Sequence, residues 1–176
     1  MISREQSKEF LCMKNKILLT GTAVLLAVLL LGFVPFRREI EKTIPVRVTE
    51  STGAVTESEM HINGIYSFTL FLPDRFEGSM EIAAFPETTG RTVEIRVADV
   101  PSDVLVCRRW QGSRLDSLFF GYIRADSAMN RAVILKAADG VLDLTGADNC
   151  VILAGDASPE DAAALLESIR QHGEEP

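Results

Sequence analysis

The sequence predicts an α+β fold: an N-terminal transmembrane helix followed by a small antiparallel β-sheet or sandwich domain with one C-terminal helix packed on it. Residues 17–36 contain no charged side chain and are dominated by Leu, Val and Ala. Beyond them, apolar and polar residues alternate along several short segments, which is the pattern of strands with one buried face. A single amphipathic helical pattern follows at 159–171.

The apolar run Ile17 to Phe36 is long enough to cross a membrane. Its twenty residues, at about 1.5 Å each, span the roughly 30 Å hydrocarbon core of a bilayer. A cleaved secretory signal is the alternative, but its apolar region is only about 7 to 15 residues long and ends at a small-residue cleavage site. The exit through Gly32 to Arg37 offers no such site. We therefore predict an anchor that contacts the lipid bilayer through Ile17 to Phe36, preceded by a short cytoplasmic tail at 1–16.

The flanks of the anchor bear on its orientation. Four Lys or Arg residues lie on each side, so the tendency of basic residues to stay in the cytoplasm gives no preference. The free N-terminal amine and the short leading tail favour a cytoplasmic N-terminus. We therefore expect a single-pass protein of the cell membrane whose C-terminal domain is extracytoplasmic. A cytoplasmic domain on a reversed anchor is the alternative.

The chain after the anchor divides into a stalk, a domain and a tail. Residues 37–58 are charged and rich in Thr and Glu, and Pro45 and Gly53 interrupt any helical pattern, so they predict a juxtamembrane stalk. Residues 59–172 predict the strand-rich domain, in which Asn63-Gly64 suits a two-residue hairpin turn, and 173–176 predict a frayed tail. Strands are predicted where apolar residues alternate or cluster: Val46 to Thr49, Tyr66 to Leu72, Met80 to Ala84, Thr92 to Val97, Val104 to Arg109, Leu118 to Arg124, Arg131 to Ala137 and Cys150 to Ala154.

The predicted C-terminal helix has a clear beginning. Ser158 can cap it, Pro159 suits its first position, and Asp161 completes a capping box. Its apolar residues recur at helical spacing and predict packing on a sheet face. They are Ala162, Leu165, Leu166 and Ile169.

Composition limits the classes of function. The 140 residues after Phe36 hold 14 Lys and Arg against 23 Asp and Glu, and phosphate contacts need clustered cations, so no nucleic-acid partner is predicted. The histidines, His61 and His172, stand in no metal-binding spacing. Neither a cofactor nor a metal is predicted. Cys107 and Cys150 lie in apolar runs, where unpaired cysteine is commonly buried; a disulfide between them is the alternative.

Carboxylates are the remaining candidates for chemistry. The acidic segments at 139–143 and 148–149 lack the spacing of an EF-hand and predict ordinary loops. Glu77, Glu81 and Glu94 could face one another across strands as an acid and base pair. Because they fall on the polar phase of the alternation, solvated sheet surface is the favoured interpretation.

Aromatic and cationic residues concentrate around Cys107 to Trp110 and Leu118 to Tyr122. Alternation breaks down there, which favours central strands covered by the C-terminal helix or a second sheet. The alternative is an exposed patch for a partner protein, because aromatic residues and arginine dominate interface energetics. Its candidate residues are Arg109, Trp110, Phe119 and Tyr122.

The layout of short tail, anchor, stalk and small β domain resembles that of many bacterial envelope proteins, and the resemblance is one of layout only. Anchoring confines the domain to a surface, and no catalytic residue is assigned. We therefore expect a membrane-tethered extracytoplasmic binding or protein-interaction module with a protein partner in the envelope. The alternative from another class is an envelope enzyme that uses carboxylates.

Overall fold

A computed structural model describes residues 20–22, 24–26, 28–29, 32–97, 102–138, 142 and 149–173. The chain forms two compact units, of which the larger comprises Arg37–Phe68 and Pro73–Pro176. The smaller comprises Met1–Phe36 and Thr69–Leu72.

The larger unit is a closed antiparallel barrel in which consecutive strands are neighbours. It confirms the predicted antiparallel β domain with a C-terminal helix, but the sheet closes on itself instead of forming an open sheet or a sandwich. The strands are β1 (Phe36–Thr49), β2 (Val55–Phe68), β3 (Asp74–Ile82), β4 (Thr92–Val97), β5 (Asp103–Gln111), β6 (Arg114–Ala125), β7 (Arg131–Lys136) and β8 (Cys150–Gly155), with a 3-10 helix at Pro86–Thr88 and an α-helix at Pro159–Gly173.

The predicted stalk at 37–58 is instead part of the barrel. It contains nearly all of β1 and the first residues of β2, and β1 closes the barrel by pairing with β8 from Val46 opposite Ala154 to Thr49 opposite Val151. The charged residues that suggested a stalk alternate with apolar ones, so one face of β1 is buried. Its buried side chains are Ile40, Ile44, Val46 and Val48.

The predicted turn at Asn63-Gly64 is wrong, because both residues lie inside β2 and pair with Ser79 and Gly78 of β3. The strand predicted from Tyr66 to Leu72 ends at Phe68. Where alternation is strict the agreement is close, and β4 has the predicted bounds. The barrel interior is filled by inward side chains, among which the largest fully buried ones include Phe76, Phe120, Met60, Ile62, Ile95 and Ile134.

The C-terminal helix packs on the outside of the barrel against β7 and β8. Leu165 is fully buried there, while Leu166 is only partly buried at the margin. One half of the predicted capping box forms: the Asp161 carboxylate accepts hydrogen bonds from the backbone N–H and the hydroxyl of Ser158, at 2.8 and 2.9 Å. These bonds satisfy donors at the first turn of the helix.

The smaller unit contains part of the predicted anchor. Residues 20–22, 24–26, 28–29 and 32 are helical. Over the part of the chain that the structure describes, no helix has the length and apolar character needed to span a membrane. The tail at 1–16, the anchor residues 17–19, 23, 27, 30 and 31, and residues 174–176 lie outside the described residues.

Candidate interaction surface on β5 and β6

The β5–β6 hairpin presents the aromatic residues that the sequence singled out. A two-residue loop joins the strands, and Gly112 there adopts a positive φ of 62°. Trp110 lies directly opposite Leu115, and Val106 lies opposite Phe119. Residues directly opposite in an antiparallel pair point to the same face. These four side chains therefore share one face of the hairpin.

That face is the outer one, because the alternate residues Leu105 and Cys107 are buried in the barrel. Val104 lies on the same outer face of β5. Because of a register shift between Leu105 and Val106, its partner on β6 is Tyr122, which therefore also points outward. The resulting set is called the β5–β6 surface. It comprises Val104, Val106, Trp110, Leu115, Phe119 and Tyr122.

The exposure of this surface corrects the favoured interpretation of these strands as fully covered core. Trp110 is 69% exposed and Leu115 is 43% exposed. The C-terminal helix packs on β7 and β8, and of the six residues of this surface only Tyr122 contacts the apolar cluster at the helix. The Tyr122 ring also packs edge-to-face on Phe119, with centroids 5.7 Å apart. Such packing fixes the orientation of both rings.

Three of the four predicted patch residues, Trp110, Phe119 and Tyr122, therefore lie together on the β5–β6 surface. Arg109 is also exposed, but it pairs with Asp116 and its side chain lies on the other face of the hairpin. Sequence reasoning missed Leu115, Val104 and Val106. Their signal was the alternation along β5 and β6, which becomes readable only when the hairpin register is known.

A sparsely paired seam between β4 and β5 borders the surface. Within the described residues the two strands are in register only at Thr92 and Arg108. Farther along, a side chain spans the seam: the Asp103 carboxylate accepts a hydrogen bond from the backbone N–H of Arg96 at 2.5 Å and pairs with its guanidinium at 3.1 Å. A groove of about 310 Å³ lies here, lined partly by Val104, Val106 and Arg108.

The carboxylates considered for catalysis lie on the outer surface of the barrel. Glu77 and Glu94 are directly opposite each other on β3 and β4. Glu94 is paired with the guanidinium groups of Arg75, at 3.1 Å, and Arg108, at 3.8 Å. Glu81 accepts a hydrogen bond from the backbone N–H of Gly90 at 2.9 Å. These contacts suit solvated sheet surface, where exposed ion pairs are weakly stabilising.

Cys107 and Cys150 are free thiols. Cys107 is 1% exposed, and burial raises its pKa to about 11. Cys150 is partly buried, and burial raises its pKa as well. A raised pKa keeps a thiol protonated and unreactive at neutral pH. Both thiols therefore have the character of packing groups.

Among the described residues, no group of three or more His, Cys, Asp and Glu side chains could hold a metal ion. His61 shares a 2.7 Å hydrogen bond with the hydroxyl of Thr43. The side chain of His172 and most of the acidic segments at 139–143 and 148–149 lie outside the described residues.

Comparison with protein-family models, with curated proteins and with solved structures gave no match.

Proposed function

We propose that the chain is a membrane-tethered, extracytoplasmic protein-interaction module that binds a protein of the envelope through the β5–β6 surface. The observation that carries the proposal is the exposure of Trp110. Among the described residues it is the most exposed large apolar side chain, at 69%. An exposed tryptophan costs free energy in water and is a residue type that concentrates binding energy at interfaces.

The surroundings of Trp110 support the same function. Leu115 lies opposite it, Arg108 is exposed on the same face of the hairpin, and Arg109 and Arg114 are exposed beside the hairpin loop. An apolar centre with a charged rim is the usual anatomy of a protein interface. The arginines also suit an acidic partner, since each guanidinium can bind a carboxylate with two parallel hydrogen bonds.

Site-specific photocrosslinking tests the interaction surface. A photoreactive phenylalanine would replace Trp110 in the full-length chain, expressed in its native membrane. Val55 provides a matched control, because it is a 58% exposed apolar residue at the first position of β2. We expect a discrete protein adduct from position 110 and none from position 55. The adduct should disappear when Leu115→Asp is added. The same adducts from both positions, or none from position 110, would contradict the proposal.

The compartment of the domain is tested separately. The proposed orientation predicts that a reporter fused after Pro176 is active only when the reporter functions outside the cytoplasm. Activity of a cytoplasm-specific reporter at the same position would favour the reversed anchor. The photocrosslinking result does not depend on this outcome, so the two parts of the proposal can fail independently.

A further inference from the structure

The loop Thr69–Leu72, which joins β2 to β3, presents three consecutive large apolar side chains. Leu70 is 61% exposed, Phe71 is 50% exposed and Leu72 is 52% exposed. The loop is locally ordered: the Thr69 hydroxyl donates a hydrogen bond to the carbonyl of Leu72 and accepts one from its N–H, both at 3.0 Å. Contiguous exposed apolar groups on an ordered loop indicate a contact site.

The loop is continuous with the end of the proposed anchor, and both belong to the smaller unit. The Leu70 N–H donates a hydrogen bond to the carbonyl of Gly32 at 3.2 Å. The Phe71 ring packs on Phe33 with centroids 5.2 Å apart. A Cβ atom at Gly32 would lie 2.0 Å from the Phe71 ring, so a larger residue at this position would have to displace that ring.

These contacts join two exposed apolar groups into one. Phe33 and Val34 are 56% and 50% exposed, and they precede Arg37 and Arg38, where the charged part of the sequence begins. The combined group comprises Phe33, Val34, Leu70, Phe71 and Leu72. The proposed anchor leaves the bilayer at these residues. Apolar side chains at this depth are stabilised by contact with the acyl chains below the headgroups.

We propose that the Thr69–Leu72 loop inserts into the membrane interface beside the end of the anchor and gives the chain a second contact with lipid. This inference rests on the proposed tether and goes beyond it.

Depth-dependent quenching in vesicles tests the loop. The full-length chain would carry Trp110→Phe, so that one introduced tryptophan reports, and Phe71→Trp would place the probe in the loop. Val55→Trp in the same background is the matched control, since Val55 is also exposed and apolar. The vesicles would contain phosphatidylcholine with nitroxide groups near the top of the acyl chains. We expect quenching of the loop probe to be at least about twofold stronger than that of the control, as for groups buried roughly 5 to 10 Å into the interface.

Flotation of the same vesicles separates failure of the loop from failure of the tether. Protein that floats but shows equal quenching of both probes would overturn the loop contact and leave the tether intact; a loop that binds a protein would give this result in pure lipid. Protein that does not float would overturn the tether, and with it the loop contact. The circular dichroism spectrum of each variant verifies folding, and Leu72→Trp replaces Phe71→Trp if the latter does not fold.

Discussion

Gly64 of β2 and Gly78 of β3 lie directly opposite each other, and each occupies the space in which the other's side chain would lie. A Cβ atom at Gly64 would lie 2.7 Å from the Cα of Gly78 and 2.4 Å from the carbonyl oxygen of Glu77. A Cβ atom at Gly78 would lie 2.5 Å from the Cα of Gly64. The obstructing atoms are backbone atoms, which cannot move aside without disturbing the β2–β3 ladder.

Gly64→Ala is therefore expected to destabilise the domain, although alanine is the better residue in most strands. Forced overpacking costs about 1 to 3 kcal/mol, which urea denaturation would measure. Asn63→Ala is the matched control, because Asn63 is exposed at the adjacent position of β2 and surface substitutions change stability by less than about 0.5 kcal/mol. An unchanged or increased unfolding free energy for Gly64→Ala would contradict the close approach.

The Gly64–Gly78 pair explains why the sequence predicts a turn at Asn63-Gly64 where the structure has a strand. Asn-Gly is the strongest short hairpin signal, but a glycine in a strand also marks close backbone approach. Only the partner strand distinguishes the two cases, and Gly78 lies 14 residues from Gly64. Strict alternation, as in Thr92–Val97, gave the correct strand bounds because it depends on local sequence alone.

Barrel closure and the candidate surface lay beyond local sequence for a related reason. Closure depends on Val46 pairing with Ala154, across more than a hundred residues. The position of Trp110 depends on the hairpin register and on which strands the C-terminal helix covers. The sequence shows that aromatic residues and arginines are concentrated in β5 and β6. It does not show that several of the aromatic side chains share one outer face.

The C-terminal helix is expected to stabilise the barrel through Leu165. Leu165→Ala should lower the free energy of unfolding by about 2 to 5 kcal/mol, because the side chain is fully buried and would leave a cavity. Leu166→Ala should cost clearly less, since Leu166 is only partly buried. Urea denaturation of both variants measures the difference. A loss below about 0.5 kcal/mol for Leu165→Ala would indicate that the helix does not hold the sheet.

The capping box should make stability depend on pH. Hydrogen bonding to the backbone N–H of Ser158 is the main cause that lowers the pKa of Asp161, and the guanidinium of Arg131 adds to it. A lowered pKa stabilises the fold above the unfolded value of about 3.9, and the contribution disappears as pH falls through the folded pKa. Asp161→Ala should therefore lower the free energy of unfolding at neutral pH by about 0.3 to 1.5 kcal/mol. The difference from wild type should vanish in acid; a constant difference would contradict the linkage.

Thiol labelling should distinguish the two cysteines of the barrel. Cys107 should resist labelling in the native protein, because it is buried and its pKa is raised to about 11. Cys150, which is partly buried, should react slowly, and both should react fully in urea without reductant. Failure of both to react in urea would indicate a disulfide.

The raised pKa of Cys107 should also make stability depend on pH. Above about pH 9 the Cys107 thiol ionises in the unfolded chain before it does in the folded one, so the free energy of unfolding should fall with rising pH. The fall should be less steep in Cys107→Ala.

Contact between the sparsely paired strands β4 and β5 should depend on Asp103. Its carboxylate accepts hydrogen bonds from the N–H groups of Arg96 and Val104, at 2.5 and 2.9 Å, and its side chain is only 13% exposed. Asp103→Ala removes this acceptor from two water-exposed donors, so the free energy of unfolding should fall by about 0.5 to 1.5 kcal/mol. Hydrogen exchange should then accelerate in β4 while β7, held on both sides by paired strands, stays protected. Glu77→Ala is the control, because Glu77 is an exposed acid on the same outer surface. Equal exchange of β4 in wild type and Asp103→Ala would show that Asp103 does not hold β4 in place.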